Sequence, residues 1–181
     1  MSTIKDWSGA PKFEEATCKE LHVETESGVH LRVLQWKPDN EKSQSARNLV
    51  MIPGWNSIPE GWFPILSEWV KHRPLIYIET REKGSAVSTG RAKKSDLSIR
   101  RSVEDLKTVI SEFPEISSGS DWFASSLGAT IILEALAERA FKPRSVALLA
   151  PNTSFDFPLW SRLLIMLPSF VYPPLVRLAI L

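Results

Sequence analysis

Four short apolar runs, each bounded by turn or polar residues and separated by stretches of other periodicity, constrain this chain more than any other feature. They are Leu49-Val50-Met51-Ile52, which stops at Pro53-Gly54; Leu75-Ile76-Tyr77-Ile78, which follows Pro74; Trp122-Phe123; and residues 146–150. Each is too short for a stable helix and lacks polar alternation, the mark of a strand covered on both faces. Between them the spacing turns helical. Trp62, Ile65, Leu66, Trp69 and Val70 form one apolar face, and Val103, Leu106, Val109, Ile110 and Phe113 form another. Ser102-Val103-Glu104-Asp105 reads as the start of that second helix, and residues 128–140, rich in alanine and leucine and closed by Pro143, read as a third. Upstream, residues 21–24 and 30–37 flank Glu26-Ser27-Gly28 and predict a β-hairpin, whereas polar residues 39–47 predict a surface loop. Strands alternating with helices in this order predict an α/β fold, a largely parallel sheet with helices on both faces.

At 181 residues the chain is long enough for one domain with a real core. Its formal net charge of +1 offers nothing to attract nucleic acid or an anionic membrane surface. The single cysteine, Cys18, cannot close an internal disulfide, and residues 1–20 are polar and mixed in charge. Both point to a cytoplasmic protein without a secretory leader. Asn152-Thr153-Ser154 spells a glycosylation acceptor and is read as chance in that setting. Neither a cysteine–histidine cluster nor a phosphate-cradling glycine loop is present, so no cofactor or metal is implied.

Residues 159–181 are mostly apolar, with Arg162 and Arg177 as the charged exceptions. Pro168, Pro173 and Pro174 interrupt the stretch, which argues for short helical pieces of a cap or lid instead of a transmembrane span. An interfacial anchor is the other reading of the same residues. The expected organisation is therefore an N-terminal extension over 1–18, a core over 19–158, and the beginning of a cap over 159–181.

The residues most suggestive of chemistry are Ala124-Ser125-Ser126-Leu127-Gly128, placed between a strand and a helix. A small-x-Ser-x-Gly sequence in that context is the form of a nucleophile elbow, where a serine occupies a sharp, strained turn and small neighbours avoid collision. The following helix would aim its N-terminal N–H groups and positive dipole end at the site. Gly128 is correctly spaced only from Ser126, not Ser125. The competing structural reading is a serine that simply caps a helix.

Two more segments resemble the α/β-hydrolase fold family. Pro53-Gly54-Trp55 follows the first buried strand where members carry His-Gly-x, and Glu79-Thr80-Arg81-Glu82-Lys83-Gly84 keeps the acid, arginine and second glycine of a pattern like Asp-x-Arg-Gly-x-Gly-x-Ser. The resemblance spans about residues 21–150. It implies a serine hydrolase of the esterase or lipase kind acting on a small apolar acyl or ester substrate. Ser126 would be the nucleophile, Trp55 and Leu127 the oxyanion N–H donors, and Ala124 and Gly128 the small flanks of the elbow. The acidic loop is read as fold support. Serine at the elbow argues against chemistry that uses aspartate there.

The resemblance also implies a triad in the chain order serine, acid, histidine. His22, His30 and His72 all precede Ser126, and Asp156 reads more readily as a linker residue than as the acid. The sequence thus predicts a fold incomplete at its C-terminus, lacking the histidine, with little activity as it stands. A non-catalytic protein on the same scaffold is the alternative.

Overall fold

The computed structural model describes residues 10–25, 28–88 and 97–152. Residues 153–181, and with them Asp156 and the expected cap, lie outside the described residues. Among the described residues seven strands form one sheet: β1 (Ala16–Glu24), β2 (Val29–Pro38), β3 (Leu49–Ile52), β4 (Leu75–Ile78), β5 (Val87–Ser88), β6 (Asp121–Ser125) and β7 (Ser145–Leu149). Their order is β1-β2-β4-β3-β6-β7, with the short β5 pairing to β2. β4, β3, β6 and β7 run parallel, and β2 is antiparallel to β1, β4 and β5. The helices are α1 (Glu41–Gln44), α2 (Phe63–His72), α3 (Ile99–Glu112) and α4 (Leu127–Ala137).

The unbroken apolar runs are explained by cover on both faces. In β3, Val50 and Ile52 join a core with Val103, Leu106 and Val109 of α3 and Ile131, Ile132 and Ala135 of α4. Leu49 and Met51 point the other way, toward Leu66 and Val70 of α2. Side chains alternate with a period of two, so a strand with helices on both sides buries every residue. At about 25 cal/mol per Å² of apolar surface, such sandwiching supplies most of the driving force for folding.

Three local details differ from the sequence reading. Helix α3 starts at Ile99, not near Ser102, because the Ser98 side chain accepts from Arg101 N at 3.3 Å and caps the helix. Ser102 is then already in the first turn, buried, its hydroxyl turned back to the Ser98 carbonyl. The polar stretch 39–47 contains the short α1, capped by the Asn40 side chain on Lys42 N. On α2, Leu66 and Val70 are buried while Ile65 is 40% exposed, because the sheet touches a narrower stripe than the apolar spacing offered.

The parallel edge differs from the centre. Val146 and Leu148 of β7 lean on the α3/α4 core, but Ser145, Ala147 and Leu149 are exposed. A groove of about 420 Å³ runs beside α2, floored by Leu49, Trp69, Phe123 and Ala147 and ended by His72 and Asp121.

Candidate active site

Strand β6 delivers its chain to the C-terminal edge of the parallel strands, where ligands bind in open α/β sheets. There Ser126 takes φ 48°, ψ −115°, outside the regions comfortable for a residue with a side chain. Strain of this kind costs about 1–3 kcal/mol and persists only where neighbours over-determine it. The neighbours are specific. Ser126 N donates to the Leu149 carbonyl at 2.8 Å, and the Ser126 carbonyl accepts from Thr130 N at 3.0 Å, opening α4. Ala124 is fully buried beneath the turn. A Cβ on Gly128 would lie 2.3 Å from the Ile52 carbonyl oxygen and 2.7 Å from that of Pro53, so α4 can approach β3 only through glycine. Gly54 is also close: a Cβ there would meet the Ser126 Cβ at 3.1 Å.

The structure brings Ser126, Leu127, Gly128, Ala124 and the Gly54-Trp55 loop together. Leu127 opens α4, so its N–H belongs to the first turn and has no helical partner. Neither the Trp55 nor the Leu127 backbone N–H donates a hydrogen bond among the described residues. The Trp55 side chain is 58% exposed beside this loop. Two more non-glycine residues with positive φ stand on the adjoining loops: Asn56 at 53° and Ala150 at 49°. Backbone strain gathers where β3, β6 and β7 end.

The histidines lie elsewhere. His22 and His30 belong to β1 and β2, at the far side of the sheet, and His22 contacts Glu20 at 3.3 Å. His72 ends α2, exposed, 3.0 Å from Glu68.

Sequence reasoning passed over two residues. In the sequence Asn152 stands out only as a glycosylation acceptor. Its backbone N–H is bound to Thr130 Oγ1 at 3.0 Å, and its side-chain amide donates to Ser126 Oγ at 3.4 Å. The available signal was position: it follows the last buried strand, at the sheet edge that holds Ser126. Lys83, part of the acidic loop read as fold support, is only 6% exposed. Its ammonium donates to the Gly54 carbonyl and pairs with Glu82 at 3.1 Å, and burial lowers its pKa against the pull of that carboxylate. No pattern in the sequence announces either contact.

The rest of the acidic loop ties elements together. Glu79 is buried, accepts from Ser85 and lies 3.7 Å from Arg32; burial raises its carboxyl pKa despite both. Arg81 makes a bidentate, buried pair with Asp105 of α3. Among the described residues no three His, Cys, Asp or Glu side chains gather as metal ligands, and no helix is long and apolar enough to cross a membrane.

Comparison with solved structures places the fold in a known class. The chain is similar to the naproxen esterase (carboxylesterase NP) of Bacillus subtilis, with a TM-score of 0.61, 19% identity, and coverage of 77% of this chain and 45% of that one. It is similar to an alpha/beta hydrolase of Novosphingobium aromaticivorans, with a TM-score of 0.60, 12% identity, and coverage of 76% and 45%. Epoxide Hydrolase A of Mycobacterium thermoresistibile aligns with a TM-score of 0.57, 19% identity, and coverage of 82% and 44%. The chain has the α/β-hydrolase fold, and it spans a little under half the length of each of these three proteins. No protein-family model and no curated protein matches its sequence.

Proposed function

We propose that this chain is the nucleophile-bearing part of a serine hydrolase acting on a small apolar ester or related acyl substrate. The observation that carries the reading is the positive φ of Ser126, held between a buried strand and a helix whose second residue admits no Cβ. A serine that merely capped a helix would need no such strain, and Ser126 makes no side-chain cap bond. The Ser126 Oγ would attack the acyl carbon while its proton passes to a base. The carbonyl oxygen, now an oxyanion, would take hydrogen bonds from Trp55 N and Leu127 N. Collapse would expel the alcohol with a proton and leave an acyl-serine for water to cleave. Solved neighbours include an esterase and an epoxide hydrolase; serine at the turn favours the acyl chemistry here. Exposed Trp55 beside the turn suits an apolar acyl or alcohol group.

All three histidines precede Ser126 in the chain, and none is hydrogen-bonded to it. Without an imidazole the hydroxyl stays protonated, so the 181-residue chain should react slowly and turn over little. That observation also favours a second reading, a non-catalytic protein on the same scaffold. Prolonged incubation with a fluorophosphonate, followed by peptide mapping, tests the first. Modification of Ser126, absent in Ser126→Ala, is the expected result. Modification elsewhere, or none while a small apolar ester binds intact, would favour the second reading.

A further inference from the structure

The buried Lys83 side chain is bound to the Gly54 carbonyl of the Gly54-Trp55 loop, and the catalytic reading leaves it without a task. The Gly54 carbonyl accepts from two donors, Lys83 Nζ and Ser57 N, the latter at 3.2 Å. Every described peptide is trans. In a planar trans peptide the C=O and N–H point to opposite sides, so holding the Gly54 oxygen also sets the direction of the Trp55 N–H. This N–H has no other partner among the described residues, while Gly54 itself lies against Ser126. Glycine makes rotation of this peptide cheap, since no side chain opposes a change in its ψ. Ser57 N holds this oxygen from within the turn, and the buried ammonium, an expensive group to keep, adds a second hold from the loop that follows β4.

We propose that Lys83 is a positioning residue that locks the Gly54–Trp55 peptide with its N–H directed into the oxyanion site of Ser126. The inference rests on the hydrolase reading for its consequence, but the lock itself can be measured without turnover.

The chain contains two Gly–Trp peptides, Gly54–Trp55 and Gly61–Trp62. Protein labelled with carbonyl ¹³C in glycine and ¹⁵N in tryptophan thus shows two carbonyl–amide correlations, the second an internal control of folding. Lys83→Met should move the Gly54–Trp55 signal, the Gly54 carbonyl shifting upfield, and leave Gly61–Trp62 in place. After phosphonate modification of Ser126, the Trp55 amide proton of the wild type should shift downfield as it bonds the phosphoryl oxygen. In Lys83→Met that shift should be lost, and modification should slow about tenfold, less than the hundredfold or more lost with an oxyanion donor itself.

If the lone substitution disturbs folding, Glu82→Gln with Lys83→Met leaves no unpaired buried charge and carries the same comparison. A Gly54–Trp55 signal unchanged in the folded variant overturns the lock. An adduct whose Trp55 shift survives the loss of Lys83 overturns its role in the oxyanion site. Wild-type Ser126 that never takes the phosphonate sinks the hydrolase reading instead, and with it the use proposed for the lock, whatever the free-state signals show.

Discussion

The two ends of β6 are built on opposite principles. At its start, Asp121 receives Arg73 at 2.8 Å, Arg144 at 3.2 Å and the Ser145 hydroxyl at 2.6 Å, a knot joining α2, β6 and β7. At its finish, Ser126 is forced into positive φ, and two neighbouring N–H groups have no partner among the described residues. One end satisfies every charge and holds the sheet; the other keeps hydrogen-bonding capacity unspent. Four residues of extended chain, 122–125, at about 3.3 Å each, lie between Asp121 and Ser126. A rigid, well-satisfied strand can thus impose at its tip a conformation that the local sequence would not choose.

The difference can be broken at several points. The largest effect is expected at Gly128. Its Ala variant would drive a methyl into two backbone carbonyls, with a loss of about 4 kcal/mol or more, or failure to fold, in urea titration. A milder result would mean that α4 can withdraw from β3 and that the turn is not over-determined. At the satisfied end, Asp121→Ala should cost about 2 kcal/mol, a modest figure because Arg73 and Arg144 are partly exposed and water can replace the aspartate.

At the strained end the sign should reverse. Ser126→Gly should raise stability by about 1 kcal/mol while ending phosphonate capture, since glycine adopts positive φ freely. A lower melting temperature would show that the turn is relaxed. The smallest effect concerns acid. The Asp121 carboxyl is held below its ordinary pKa, first by the Ser145 hydroxyl and then by Arg73 and Arg144. A depressed folded-state pKa contributes stability that is present above the unfolded value, near pH 4, and is lost as pH falls through the folded value. Asp121→Asn should therefore be less stable than the wild type near neutrality and show a flatter acid limb, the two stability curves converging as pH falls below the folded-state pKa.

Much of this was legible beforehand, for a physical reason. Runs such as Leu49–Ile52 and Leu75–Ile78 are buried on both faces, and that environment writes itself into consecutive residues. The bend at Ser126 was legible because a close approach leaves glycine no substitute at 128. Contacts between remote loops were not. Lys83 reaches Gly54 across 29 positions of sequence and Asn152 reaches Ser126 across 26, with no periodicity linking either pair. The choice between Ser98 and Ser102 as helix cap was equally hidden, since both are competent and the fold decides which one is inside the first turn.

By itself, then, the sequence determined the alternation of strand and helix, the covered centre of the sheet and the place of the bend, because burial and steric exclusion act on neighbouring residues. The tertiary structure alone decided which backbone groups face Ser126 and which buried charges surround it. Those depend on loops from β3, β4 and β7 meeting at one edge, and hydrogen-bond partners are chosen by distance in space, not along the chain.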